Sequence, residues 1–428
     1  MKWRMRYLTM FVSALLLVTL SFVLWTSNQK KILRIEVYAG SSWDVPNSRE
    51  NRVLDNIIRQ FEKSHPNVKV VYESGIPKKD YDNWLAEKIL KGEQADVFMV
   101  PENDFSMLAS SGAFKSLDSL ISKEEAAAYY PVAYQAGQYQ GHSYALPIES
   151  NPVMMCVNKD LLEKEGISIP DSNWTLEDLY AICQKVTKDT DGDGLIDQYG
   201  ITDYTWKQSL VAYNGHLRNQ NGVNIDSVEM HQALSFISKL DSLNQRYKVT
   251  SNDFDEGKVA FYPMSLAQYR TYKPYPYHVA KYSRFSWTCI PMPAAKAGIP
   301  ATQVKTSLFA MSSKTKQDKL AWEFMKLLCQ NHKNQQELFA KSQGTSVLTS
   351  VVKSSQTKKI LQADDFGLDS LTSQRLDHMM KHSVLDISRD LDYHSLERLD
   401  YLLGNALKNN EIDSILPSIQ REMEETGK

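Results

Sequence analysis

Gly141-His-Ser-Tyr-Ala-Leu-Pro-Ile-Glu-Ser-Asn-Pro-Val-Met-Met-Cys-Val-Asn-Lys-Asp160 is the stretch on which the reading of this 428-residue chain turns. Its two apolar runs, 144–148 and 153–157, have the composition of buried strands. Between them Pro147 and Pro152 bracket Glu149-Ser150-Asn151. A continuous sheet ladder is not expected to hold that tripeptide, because proline lacks a donor and the polar side chains would lose their water. The chain is expected to leave one sheet here and enter another, with the polar residues facing a cleft between two lobes. An ordinary hairpin with a solvated turn gives the same pattern.

A Gly-x-x-Tyr-x-Leu-Pro run, polar residues, and an apolar strand ending in Asn-Lys-Asp resemble the crossover of family 1 extracellular solute-binding proteins. These are the maltodextrin-binding-like sugar receptors of ABC importers. Four more stretches fit the same pattern in order. They are Phe61-Glu-Lys-Ser-His-Pro-Asn-Val-Lys-Val-Val-Tyr-Glu73, Asp96-Val97, Asn173-Trp-Thr-Leu-Glu-Asp-Leu179 and Asp253-Phe-Asp-Glu-Gly-Lys-Val-Ala-Phe261. The resemblance covers most of the chain after residue 31. It implies a periplasmic-binding-protein-like α/β fold of two lobes joined by a hinge, with the ligand cleft between them. On that reading the N-terminal lobe is 31–145 plus 305–355 and the C-terminal lobe 146–304 plus 356–428, with hinge strands near 145–152 and 300–310.

Bulk properties bound the partners. With 49 basic and 51 acidic residues the formal net charge is -2, which gives no global electrostatic case for nucleic acid or an anionic membrane surface. Lys2, Arg4 and Arg6 precede the apolar segment 8–25, a pattern of export with the N-terminus kept inside. No cysteine precedes Cys156, so the lipid attachment common in Gram-positive members of the resembled family is not available at this end. Residues 1–30 are expected to be an uncleaved signal anchor, with a cleaved signal peptide as the alternative. Cys156, Cys183, Cys289 and Cys329 are far apart and fall in apolar runs, as buried free thiols do, although one disulfide is compatible with their number.

Strands alternating with amphipathic helices between 34 and 100 predict a mostly parallel sheet covered on both faces. Ligands of such sheets bind beyond the carboxyl ends of the strands. That selects Trp43 and Asp44 after the first strand, and Glu102 and Asn103 after the strand ending at Val100. Glu149 and Asn151 sit at the crossing. Aromatic and polar residues of the second lobe that its strands and turns would present are Trp206, Tyr213, Asn214, Tyr262, Tyr269 and Arg270. Aromatic faces suit the C–H side of a sugar ring, while carboxylates, amides and phenols bond its hydroxyls.

Asp189-Thr-Asp-Gly-Asp-Gly-Leu-Ile-Asp197 resembles the first two thirds of an EF-hand loop, with oxygen side chains at 189, 191 and 193 and a glycine at the sharp turn. Asp189, Asp191, Asp193 and Asp197 are the residues that would hold a structural calcium. Gly200 stands where the closing bidentate Glu belongs, and a solvated Asx-turn cluster explains the same residues without metal. Catalytic signatures are weaker still. His378-Met-Met-Lys-His382 lacks the Glu of a zinc protease, and nothing selects one pair of carboxylates for glycoside hydrolysis.

The resemblance therefore implies a binding protein and no enzyme. A monomer at the extracellular face of the membrane would trap a carbohydrate by hinge closure and deliver it to ABC permease transmembrane subunits. A receptor reporting to a sensor kinase is the alternative, and a secreted glycoside hydrolase a more distant one.

Overall fold

In the computed structural model of the chain the described residues are 30–43, 50–245, 247–272, 285–364, 370–409 and 411–426. The expected anchor over 8–25 and the candidate Asp44 lie outside them. Among the described residues no helix is long and apolar enough to cross a membrane.

Ten strands form one sheet: β1 (Lys31–Glu36), β2 (Val68–Glu73), β3 (Val97–Val100), β4 (Ala145–Asn158), β5 (Tyr199–Ile201), β6 (Val259–Ser265), β7 (Trp287–Ile290), β8 (Thr302–Met311), β9 (Thr345–Ser346) and β10 (Ser383–Leu385). Their order is β2-β1-β3-β8-β4-β6-β5, with β7 and β9 also paired to β4 and β10 to β8. β1 runs parallel to β2 and β3, as helix-linked strands do. The connecting helices are α1 (Glu50–Ser64) and α2 (Lys78–Lys91). Leu33, Ile35, Phe61, Phe98, Phe309 and Phe324 make the core of this first half.

At the crossing the strand passes from one set of sheet partners to another as expected, but the tripeptide does not interrupt the ladder. β4 is one strand of 14 residues, and Glu149, Ser150 and Asn151 stand in its ladder opposite Ser307, Thr306 and Lys305 of β8. The physical reason is twofold. A register shift between Ser307 and Leu308 passes over Ile148, so the bulge lies beside Pro147, where the ladder lacks a donor. The polar side chains, though buried, are bonded to the protein. Ser150 Oγ lies 2.9 Å from Thr306 Oγ1. Asn151 Oδ1 accepts the amide of Ala267 at 2.9 Å. Glu149 accepts the amide of Gly344 at 2.8 Å and the Ser342 hydroxyl. What changes at the crossing is the partner: β8 and β9 flank the first part of β4, β6 and β7 the second.

The second half is built on α3 (Leu176–Val186), α4 (Trp206–Ala212) and α5 (Val228–Leu243), followed by α6 (Leu266–Tyr272). Thr175 and Asp178 form the expected capping box of α3. α7 (Asp318–Cys329) returns to the first core through Ala321, Phe324 and Leu328. α8 (His332–Lys341) and α9 (Ser373–Lys381) follow, and α10 (Tyr393–Asn409) and α11 (Ile412–Thr426) cover the second half, where Leu399, Leu403 and Leu416 pack on Leu210 and Leu234. Pro417 lies inside α11, which runs on through it. Between the halves a further core gathers Tyr130, Met264, Tyr269, Trp287, Val347 and Leu376.

Candidate functional site

The loops beyond β1 and β3 meet at the carboxyl ends of those strands. Trp43 is buried, its amide held by Ser41 Oγ at 3.1 Å, and its indole approaches Glu149. Lys78, the first residue of α2, donates Nζ to the Ser42 carbonyl at 2.8 Å. Beyond β3, Glu102 has Lys305, Asp386, Arg389 and Lys78 as its charged neighbours. Burial pushes its carboxyl up to about 7, against the pull of the three cations. Asp104 is pushed up to about 6 by burial, with the like charges of Asp82 and Asp392 adding to it.

Next to this charged group, a cavity of about 630 Å³ takes walls from both halves. Gln138 and Gln140 reach it from a hairpin of the first half, Asn214 and His216 from the turn that ends α4, and Asp386, Arg389 and Asp390 from the segment after β10. Asn214 adopts φ 59°, the left-handed turn that redirects the chain there. Arg389 is clamped by a 3.2 Å bond to the Ala136 carbonyl, with its guanidinium 5.5 Å from the Phe105 ring centre. Asp390 accepts the Leu217 amide at 3.2 Å; burial raises its pKa while His216 and Arg389 oppose the rise. Amides, carboxylates, an imidazole and a guanidinium thus share the walls of a space of small-molecule size with Val211, Leu385 and Ile387, and no Phe, Tyr or Trp stands among its described lining residues. Such walls both donate and accept hydrogen bonds, which suits a polyhydroxylated guest.

The structure brings Trp43, Glu149 and Arg270 together, but as a buried network. Arg270 donates Nε to Asp364 at 3.1 Å and Nη1 to the carbonyls of Phe339 and Gly344, both at 2.9 Å. Burial raises Glu149 to about 7, with its hydrogen bonds and Arg270 pulling the other way. Gly344 is required here, since a Cβ at that position would lie 2.5 Å from Glu149 Oε1. Glu102, half-buried like Asn103, stands in the charged group, and Asn214 lines the cavity. Asn151 holds the first turn of α6 through the Ala267 amide.

The remaining second-half aromatics pack inward. Trp206 is 6% exposed and donates Nε1 to Asp400 of α10 at 2.8 Å. Tyr269 is 1% exposed against Trp287, and Tyr262 belongs to the same core with its ring edge-on to Phe254. Tyr213 is half-buried between the two cores of the second half. The apolar area of these rings is taken up by helix-to-sheet packing.

In the acidic loop, Asp189, Asp191 and Asp197 have carboxylate oxygens within 4.8 Å of one another, and Asp193 stands outside that group. Asp189 accepts the amides of Gly192 and Gly194, each at 2.7 Å, and these hold its carboxyl below the ordinary range; Asp197 is lowered by the Thr190 hydroxyl at 2.7 Å and then by the Thr190 amide at 2.9 Å. Gly200 lies in β5 against Cys183, where any Cβ would meet the Cys183 side chain at 2.4 Å. The closing position of an EF-hand is here a core position.

Sequence reasoning missed Lys78, Lys305, His216, Asp386, Arg389 and Asp390. Lys305 had a signal, being the single exposed side chain between buried neighbours of β8. The segment after β10 had none, because its place depends on chain folding back more than 280 residues from β3.

Residues 56–364 match the profile of the bacterial extracellular solute-binding proteins. The chain is 25% identical over 138 residues to the maltotriose-binding protein of Pyrococcus abyssi, a match covering 32% of this chain and 30% of that protein. It is 24% identical over 292 residues to a putative binding protein of Brucella abortus, covering 65% and 68%. Among solved structures, the sugar-binding protein MalE from Xanthomonas citri superposes with a TM-score of 0.74 at 15% identity, over 92% of this chain and 97% of that one. The ABC substrate-binding protein of Listeria monocytogenes in complex with cycloalternan gives 0.64 at 18%, over 93% and 99%. These likenesses fix the fold. With the matched profile spanning most of its length, the chain belongs to the bacterial extracellular solute-binding proteins.

Proposed function

We propose that this chain captures a carbohydrate between its two halves, closes on it by bending at β4, β8 and β10, and hands it unaltered to the transmembrane subunits of an ABC importer. The N-terminal segment would hold the chain at the extracellular face of the membrane. The observation that carries the reading is the cavity walled from both halves, with Asp386, Arg389 and Asp390 in its lining. The family supports capture, and the sugars named for similar proteins support the ligand class. With no Phe, Tyr or Trp among the described lining residues, affinity would come chiefly from hydrogen bonds. At about 1 kcal/mol each, eight of them reach the roughly 8 kcal/mol of a micromolar receptor.

A thermal-shift screen of the chain from Lys31 onward, against mono- and oligosaccharides, tests this. A ligand at 100 times its Kd stabilises by about 2.7 kcal/mol, and a flat response across neutral sugars overturns the carbohydrate reading. Disrupting the partner permease should then abolish uptake of the sugar that binds. Uptake intact with gene regulation lost would point to sensing instead.

A further inference from the structure

Four buried cysteines sit in the described residues, and two of them face each other. Cys156 of β4 stands opposite Cys289 of β7 in the antiparallel register, with the sulfurs 3.6 Å apart and both side chains fully buried. The pairing type follows from two bonds. The amide of Lys159 reaches the Ser286 carbonyl, so every second pair from there, Val157 with Thr288 included, is of the hydrogen-bonded kind. The amide of Cys289 points away from β4, to the Ser370 carbonyl at 2.9 Å. Cys156 and Cys289 are therefore a non-hydrogen-bonded pair. In such pairs the Cα atoms stand about 4.5 Å apart, within the range a disulfide spans, and the side chains lean together.

The other two thiols are placed apart. Cys183 packs under Gly200 in the second half, and Cys329 belongs to the core of the first. Burial raises both thiol pKa values well above the ordinary range.

We infer that Cys156 and Cys289 are a built-in oxidation site, joined by a cross-strand disulfide when the chain folds on the oxidising side of the membrane. The co-reactant is an organic disulfide. One cysteine thiolate attacks it, giving a mixed disulfide and releasing one thiol. The second cysteine then attacks the protein sulfur of the mixed disulfide and releases the other thiol. Two protein sulfurs are oxidised, two small-molecule sulfurs are reduced, and both protons leave with the released thiols. The link joins positions 133 residues apart and fastens β7 to the strand that crosses both halves.

The test uses the full chain, refolded with oxidised glutathione, then denatured and alkylated. The expected product is lighter by two hydrogen atoms before alkylation and takes up two alkyl groups, on Cys183 and Cys329. Its digest contains one peptide pair joined through 156 and 289. Cys183→Ala should keep the mass loss and Cys289→Ser should abolish it. Should Cys289→Ser fail to fold, the digest of the unmutated chain decides alone. Four alkylated cysteines, a link through Cys183 or Cys329, or a retained glutathione adduct without the internal link would each overturn the inference.

Discussion

The two halves present themselves to the cavity by different means. The first lines it with Gln138 and Gln140 of a hairpin and sets Glu102 and Lys78, beyond β3 and at the start of α2, in the charged group beside it. In the second, Trp206, Tyr262 and Tyr269 are turned into its cores, and its share of the cavity comes from Asn214, His216 and the segment 386–390. A strand end in a wound sheet is a fixed address for a polar side chain. An aromatic ring near a cleft is not, because burying it in a core yields the larger free energy.

The largest test of this contrast is Tyr269→Ala. Removing a buried ring should cost about 4 kcal/mol of stability in denaturant unfolding while leaving the Kd of the folded fraction unchanged. A lost Kd at full stability would put the second-half aromatics back at the ligand.

Glu149→Gln comes next, on the first side of the contrast. The folded carboxyl, raised to about 7, keeps its proton where the unfolded one ionises near 4.5. Its stabilising share is therefore complete below about pH 4.5 and is lost as pH rises through 7. That share is about 3 kcal/mol, so the glutamine variant should show a flatter loss of stability across this window, with Glu102 and Asp104 among the groups left to supply the remaining slope. An unchanged slope would mean that Glu149 is ionised in its network.

Arg389→Ala sharpens the contrast from the cavity lining. Sugar affinity should fall by about 2 kcal/mol, close to thirtyfold, measured by calorimetry with the best ligand of the screen. The smallest effect is set far from both walls. Asp189→Ala should cost about 1 kcal/mol through its lost backbone bonds, and Asp193→Ala less than about 0.5. A melting temperature that rises on adding calcium, and does so in Asp193→Ala but not in Asp189→Ala, would assign the ion to the three clustered carboxylates.

Much of the fold was legible because it rests on local pattern. The alternation of β1, α1, β2, α2 and β3 and the cap at Thr175 lie within short windows. The unbroken ladder at the crossing was missed for a reason of the same kind. From Pro147-Ile-Glu-Ser-Asn-Pro152 alone, unsatisfied polar groups are the natural inference, and the partners that satisfy them, Thr306, Gly344 and Ala267, lie 116 to 195 residues away. The site divides along the same line. Glu102 follows from a strand end, whereas Arg389 follows only from the late return of β10 to β8.

Because β4 is unbroken from Ala145 to Asn158, neither half can be turned against the other as a free joint turns. The proposed closure would be taken up as torsion along a ladder already fastened on both edges, in the manner of a leaf spring. Its rest angle is set by backbone geometry, so an importer built on it would have recoil supplied by the receptor itself.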